Sequence, residues 1–367
     1  MGGDTRGAES GIRDVARLAG VSTSTVSRVL NGKMGAVSIS PATVERVRNA
    51  AQQLRYHPNP WARSMRTARS KTIGVIAFDL SHPFAAELLQ VIYATCHARD
   101  YHLLLGTAEH DTTEGWMLSE ILSADRIDGV ILIGDTLLHL SGQGERFREA
   151  MERLIQVHTH VVTIGSRPSV AGETSVIVDD AAGVALAMAH LIGFGHRRIA
   201  HVLDCHPNSW ESQQRLRAYR DSLEAHGQPR DPALEAMVVS RDLSAARREL
   251  EPLLAMRDAP TALFVNNDAT ALIVLKAALL SGRRVPEDLS VVGFDDISLS
   301  ALCTPSLTTI HQPIAEMGRF AATTLIDAID SPPADAAAPK ADSPAAFAPT
   351  LVRRESCGPR SGQGDPR

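Results

Sequence analysis

Between Ile12 and Leu30 apolar residues fall at helical spacing, stop, and resume. Val15, Leu18 and Ala19 stand at i, i+3 and i+4, and Val26, Val29 and Leu30 repeat the arrangement, so the pattern predicts two short helices with one apolar face each. Between them Gly20 suits the left-handed backbone that ends a helix, and Ser22 can cap the next one by accepting backbone N–H bonds. The result is a helix-turn-helix pattern whose second helix exposes Thr23, Ser24, Ser27 and Arg28. Small hydroxyls and a basic fork on one face suit the major groove of duplex DNA. A third helix is predicted from Ser40 and Pro41 through Val44, Val47, Ala51 and Leu54, which closes a small core. His57-Pro58-Asn59-Pro60 interrupts it, because each proline removes a backbone donor and restricts the residue before it. The basic stretch from Trp61 to Lys71 is too short to hold a helix by itself in water.

From Ile73 onward the period changes. Strand-sized apolar runs at 73–78, 102–107, 129–134, 161–165, 199–203, 236–240, 261–265 and 290–294 alternate with amphipathic stretches. Repeated strand–helix units imply parallel sheets covered by helices. So many units predict an α/β body of two doubly wound lobes, and ligands in such folds bind beyond the carboxyl ends of the strands, here in a cleft between lobes. The apolar runs are far shorter than a membrane span requires, and no membrane partner is expected. The first residues, Met1-Gly2-Gly3-Asp4-Thr5-Arg6-Gly7, lack the features of an export signal, so a cytoplasmic location is expected.

Charge sharpens this division. Residues 1–71 carry 12 Lys and Arg against 4 Asp and Glu, whereas the rest of the chain carries 25 against 38. A basic head on an acidic body points the head toward a polyanion and gives the body another task. The four cysteines, Cys96, Cys205, Cys303 and Cys357, lack metal-ligand spacing and fit a reducing compartment. His201, Cys205 and His206, or His158 and His160, suggest a metal, but no third ligand follows at a suitable distance in sequence. Gly193-Phe194-Gly195 lacks the third glycine of a dinucleotide loop, and neither a P-loop nor a Gly-x-Ser-x-Gly elbow occurs. Neither an enzyme nor a cofactor is expected.

The head resembles that of the LacI/GalR family of regulators nearly residue for residue. The matching runs are Asp14-Val15-Ala16-Arg17-Leu18-Ala19-Gly20-Val21-Ser22 and Thr25-Val26-Ser27-Arg28-Val29-Leu30-Asn31-Gly32. Tyr56-His57-Pro58-Asn59 and Ala62-Arg63-Ser64-Met65-Arg66-Thr67 resemble the family hinge. In the body Asp79-Leu80-Ser81-His82-Pro83-Phe84, Gly195-His196-Arg197-Arg198-Ile199-Ala200, Val292-Gly293-Phe294-Asp295-Asp296 and Thr304-Pro305-Ser306-Leu307-Thr308-Thr309-Ile310 are similar to its landmarks. The resemblance implies DNA contacts from Thr23, Ser24, Thr25, Ser27, Arg28, Asn31, Tyr56, Asn59, Ala62 and Arg63, with Met65 as an apolar wedge in the minor groove. The family has Leu at that place. Gly11 replaces a capping Thr, and the loop Lys33–Ile39 is about three residues longer than usual.

For the body the resemblance implies a core like periplasmic sugar-binding proteins, a homodimer interface, and an effector site. Carried over by position, that site comprises Asp79, Phe84, Arg215, Asn267, Asp268 and Asp295, with Trp210 as a second aromatic wall. Carboxylates and amides would bind hydroxyls, and an aromatic face would pack on the apolar side of a sugar ring. Asp268 and Asp295 suit helix caps as well, and Trp210 suits a core position. The expected partners are operator DNA, a sugar or sugar derivative, and a second copy of the chain. A nucleobase corepressor, a solute-binding protein and a sugar-modifying enzyme are the alternatives. The expected divisions are a disordered start at 1–10, a DNA-binding head at 11–57, a hinge at 58–71 and a core at 72–357. Lobe 1 is drawn at about 72–165 and 297–330, and lobe 2 at about 166–296 and 347–357. A flexible Ala/Pro-rich insert at 331–346 and a disordered tail at 358–367 complete the division.

Overall fold

The computed structural model describes residues 11–30, 39–56, 69–77, 79–107, 127–134, 149, 152, 160–166, 172–204, 207, 209–239, 242–331 and 344–360. The chain divides into two compact units, Met1–Ser70 and Lys71–Arg367.

The first unit contains α1 (Ile12–Ala19), α2 (Thr23–Leu30) and α3 (Pro41–Gln53). Gly11 has no side chain to cap α1, and Asp14 compensates by accepting the Gly11 N–H at 3.0 Å while pairing with Arg17. Gly20 closes α1 at φ 64°, a left-handed conformation in which a Cβ is costly. Ser22 Oγ accepts the Thr25 N–H, and Ser40 Oγ accepts the Thr43 N–H, which caps the next two helices. Val15, Val26, Val29, Val47 and Ala51 are buried together. Leu18 does not join them and remains 49% exposed. Ala16 takes its place, because an eight-residue helix against two neighbours buries the side defined by Ile12, Val15, Ala16 and Ala19.

In the second unit, lobe 1 is built on six strands: β1 (Thr72–Ala77), β2 (His102–Thr107), β3 (Gly129–Ile133), β4 (His160–Ile164), β5 (Thr174–Val178) and β11 (Ala345–Phe347). They are ordered β11-β5-β4-β3-β1-β2, and all pairs are parallel. Helices α4 (Pro83–Ala98) and α9 (Ile314–Asp330) share its core, in which Leu88, Ile92, Met317 and Leu325 meet Ile73, Val75 and Ile131. Lobe 2 is ordered β12-β10-β9-β8-β6-β7. Its strands are β6 (Ile199–Leu203), β7 (Glu235–Met237), β8 (Ala262–Val265), β9 (Ser290–Asp295), β10 (Thr308–His311) and β12 (Thr350–Val352), the last antiparallel to β10. One core cluster packs the sheet against α7 (Leu243–Leu254) and α8 (Asp268–Leu280), and another packs it against α5 (Asp180–Gly193) and α6 (Trp210–Ala225). Strands β3, β8 and β9 are buried throughout, in keeping with the uninterrupted apolar character of β3 and β8, while β9 has polar residues only at its ends, Ser290 and Asp295.

The sheets draw the lobe borders elsewhere than the sequence does. β5 pairs with β4, so the chain stays in lobe 1 past residue 165 and crosses between Val178 and Asp180. β10 pairs with β9, so it stays in lobe 2 past 295 and crosses between His311 and Ile314. The third crossing lies between Phe347 and Thr350. The expected insert is shorter at its far end, because Ala345 and Ala346 pair with β5, and Phe347 meets Phe320 edge to face at 5.8 Å. Residues 332–343 lie outside the described residues.

The end of the chain is stitched to lobe 2. Arg354 donates to Asp296 Oδ1 at 2.6 Å, and Ser356 Oγ donates to Val291 O while accepting from Thr308 N. Of the tail expected to be disordered, residues 358–360 are held instead: Gly358 O accepts from Ser290 Oγ, and Arg360 N–H donates to Phe194 O, while residues 361–367 lie outside the described residues.

Candidate functional site

In the head, α2 presents exposed Thr23, Ser24 and Arg28, with Thr25 and Ser27 half-buried beside them. Ser22 Oγ lies 2.7 Å from Ser24 Oγ and 2.9 Å from Thr25 Oγ1, a hydroxyl cluster at the start of the helix. Tyr56 packs partly on the head core. Asn31, Asn59, Ala62, Arg63 and Met65 lie outside the described residues.

Between the lobes a cavity encloses about 880 Å³ of space, part of it open to solvent. Lobe 1 lines it with Asp79, His82 and Phe84, and lobe 2 with Asp204, Trp210, Glu211, Arg215, Asn267 and Asp295. Asp180 and Gln312, which follow the first two crossings, complete the polar lining together with Asn266.

Arg215 anchors this arrangement from α6, with only 4% of its surface exposed. Its Nε donates to Asp180 Oδ1 at 2.7 Å and its Nη1 to the Asn266 carbonyl at 2.5 Å, while Asp295 Oδ1 stands 3.9 Å away. The guanidinium lies 3.8 Å from the centre of the Phe294 ring, a cation–π contact. Burial opposes its charge, but Asp180 and Asp295 outweigh that effect, so its pKa rises above the ordinary value. Burial pushes the Asp180 carboxyl up, against the pull of Arg215, and pushes Asp295 well above the usual carboxylate range. Asp295 and Asp296 have φ of 125° and 59°, a strained backbone for residues with a Cβ. Gln312 holds the first by donating Nε2–H to Asp295 Oδ1 at 2.7 Å, and Arg354 holds the second. In the same lobe Asn267 caps α8 through the Thr270 N–H and donates to Asp204 Oδ2 at 2.5 Å.

A family model for bacterial regulatory proteins of the lacI family matches residues 11–59, and one for a periplasmic binding protein-like domain matches residues 188–357. The ribose operon repressor of Escherichia coli (strain K12) is 35% identical over 325 residues, which span 88% of this chain and 93% of that protein. The chain belongs to the lacI family of bacterial regulatory proteins. Another lacI-family relative, the HTH-type transcriptional regulator DegA of Bacillus subtilis (strain 168), is 32% identical over 308 residues, 84% of this chain and 88% of that protein. The lac repressor dimer bound to operator and the anti-inducer ONPF matches with TM-score 0.76 over 96% of this chain and 100% of that one. At 23% identity this is a likeness of fold. The complex of transcriptional regulator CelR with cellobiose matches with TM-score 0.65 and 28% identity, over 95% and 99% of the two chains. As a lacI-family protein, this chain is a DNA-binding transcriptional regulator with a small-molecule effector domain.

Six of the seven expected effector residues of this lacI-family regulator meet at the cavity, namely Asp79, Phe84, Trp210, Arg215, Asn267 and Asp295. Asp268 does not. It is fully buried, and its carboxylate accepts from Ser300 Oγ and Thr309 Oγ1 at 2.6 Å each and from Ile297 N at 3.1 Å. Burial pushes it up to about 6 against the pull of those hydrogen bonds. Its oxygen lies where a Cβ on Gly293 would stand, so the glycine of Val292-Gly293-Phe294 serves this packing.

Asp180, Asp204, Asn266 and Gln312 escape the sequence reading, although a position rule would have found them. Each lies just past the carboxyl end of a parallel strand, after β5, β6, β8 and β10 respectively. His201 is set in the core between Tyr219 and Phe264, and burial lowers its pKa to about 3. Among the described residues no group of three metal-binding side chains occurs, while Cys205, His206 and His158 lie outside them.

Proposed function

We propose that this lacI-family regulator is a repressor whose operator affinity is set by a sugar or sugar derivative bound between its lobes. The observation that carries the reading is the cavity itself, where Phe84 of lobe 1 and Trp210 of lobe 2 supply aromatic walls and Asp295, Arg215 and Asn267 of lobe 2 supply directed polar groups. Such a combination suits a small molecule with one apolar face and many hydroxyls. Relatives that include a ribose operon repressor and a regulator solved with cellobiose support the same class.

Two copies of the chain would place two α2 helices on the half-sites of a near-palindromic operator, with Thr23, Ser24 and Arg28 toward base edges. Met65 would wedge the minor groove between them. A ligand with unequal affinity for two lobe arrangements shifts the balance between them, and with it the operator affinity. The protein acts in the cytoplasm, where no helix among its described residues is long and apolar enough to cross a membrane. It binds and responds without catalysing a reaction.

The test is fluorescence anisotropy with duplex DNA from upstream of its own gene, at fixed salt, with and without ribose, cellobiose and other sugars. Specific binding that one of them weakens is expected. Binding no tighter than to random duplex, with every sugar tested, would refute the proposal.

A further inference from the structure

Trp210 and Arg215 reach the cavity from the first turns of α6, and one residue at the end of β8 fastens those turns to the sheet. Asn266 N–H donates to Val202 O at 2.9 Å, which carries the β8–β6 pairing one residue past the strand. Its carbonyl accepts from Arg215 Nη1 at 2.5 Å, and its side-chain Nδ2 donates to Ser212 Oγ at 2.8 Å. Ser212 and Arg215 stand at i and i+3, on one face of the helix. Ser209 braces the same turn: its Oγ accepts the Ser212 N–H at 3.2 Å and donates to Ser212 Oγ at 2.9 Å. Ser209, Ser212 and Asn266 are all buried. The two ties from Asn266 differ in stiffness. Arg215 reaches its carbonyl through a long side chain rich in rotamers, whereas Ser212 Oγ sits one carbon from the helix backbone, so the Ser212 bond fixes where the helix lies.

We propose that Asn266 and Ser212 are positioning residues of the effector site, a role that rests on reading the cavity as that site. The hydrogen bond between them sets the place of the first turn of α6, and with it the aromatic wall of Trp210 and the root of the Arg215 side chain. Groups that contact a ligand keep their affinity only when their supports hold them to within about 0.5 Å. The neighbours Asn266 and Asn267 thus divide the work, since the second caps α8 and the first holds α6.

The test uses the full-length chain with Trp61→Phe and Trp116→Phe, which leaves Trp210 as the single tryptophan. Trp210 is half-buried, so acrylamide quenching reads its exposure without any ligand, and isothermal titration with D-ribose and with cellobiose reads affinity. Ser212→Ala, Asn266→Ala and the double variant are each checked for a native melting profile. Each should raise the quenching constant and weaken whichever of the two sugars the parent binds by about tenfold. Both single changes delete the same bond, so the double variant should lose no more affinity than the worse single one. Asp268→Asn, which disturbs buried hydrogen bonds outside the cavity, should move neither readout. If Asn266→Ala does not fold, Ser212→Ala decides by itself. Unchanged quenching in Ser212→Ala, unchanged affinity for a sugar that the parent binds, or fully additive losses in the double variant overturns the proposal. A parent that binds operator specifically but neither sugar counts against the sugar reading, while a rise in quenching in Ser212→Ala still supports the placement of α6 by this bond.

Discussion

Glu87 Oε1 accepts both the backbone N–H of Ser298, at 2.9 Å, and its hydroxyl, at 2.6 Å. Glu87 lies in α4 of lobe 1, less than one turn beyond Phe84, and Ser298 opens the 3₁₀ turn that follows β9 in lobe 2, three residues past Asp295. The pair thus links the two lobes directly.

Removing this clasp shifts the lobes more than it unfolds them. Glu87→Ala and Ser298→Ala each delete hydrogen bonds at an accessible site, with a stability loss of about 1 kcal/mol or less. An effector that favours the clasped arrangement should bind about two- to tenfold more weakly in either variant. Titration together with small-angle scattering checks this, and unchanged affinity and dimensions in both variants would exclude the clasp from the equilibrium.

Arg215→Met leaves Asp180 and Asp295 buried without their cation. A loss of about 3–5 kcal/mol is expected from such a break. The double variant Arg215→Met, Asp180→Leu should recover part of it, since one of the two carboxylates left without their cation is then removed. Denaturant unfolding of Arg215→Met, Asp180→Leu and the double variant measures the coupling, and simple additivity would contradict the ion-pair account.

Asp268→Asn separates packing from ligand recognition. It disturbs an acceptor of three hydrogen bonds and should cost about 1–3 kcal/mol while leaving sugar affinity unchanged. The folded carboxyl titrates at about 6, above its ordinary 3.8, so the folded state holds the proton more tightly. The stability due to that proton is complete below about pH 3.8 and is lost as pH rises through about 6. Asp180 and Asp295 move in the same direction. The variant should show a flatter stability curve over this window, and equal slopes would assign the titration elsewhere. Gly293→Ala, which drives a methyl into the same carboxylate, should destabilise more severely.

Arg28→Ala should weaken operator binding by about 1–3 kcal/mol and relax preference at one base pair while the head keeps its helical circular dichroism. Ser22→Ala tests the scaffold instead: it removes the acceptor of the Thr25 N–H and should cost about 1 kcal/mol of head stability. Unaltered binding and base preference in Arg28→Ala would take that residue out of the groove.

Much of the body is readable in one dimension because its buried strands are continuous apolar runs. β1, β2, β3, β4, β6, β8 and β9 lie within a residue or so of the apolar segments. β5 and β10 are not readable in this way. Thr174-Ser175-Val176-Ile177-Val178 and Thr308-Thr309-Ile310-His311 are short, and polar residues open both. They become strands by pairing with β4 and β9, and missing them displaced two lobe crossings. Asn267 and Asp268 show the same limit at the site. The two polar neighbours open one helix, yet the first faces the cavity and the second is sealed beneath Gly293.

The order of residues alone was enough for the three-helix head, the parallel α/β body and the charge difference between them, since helical periods, strand runs and charge are local properties. Convergence is not local. Asp79, Asp180, Asp204, Asp295 and Gln312 are far apart along the chain, and they meet because parallel strands in a given order all point their carboxyl ends into one cleft. Which carboxylate would face that cleft and which would be consumed by packing depended on strand order and on the absence of a single Cβ at Gly293.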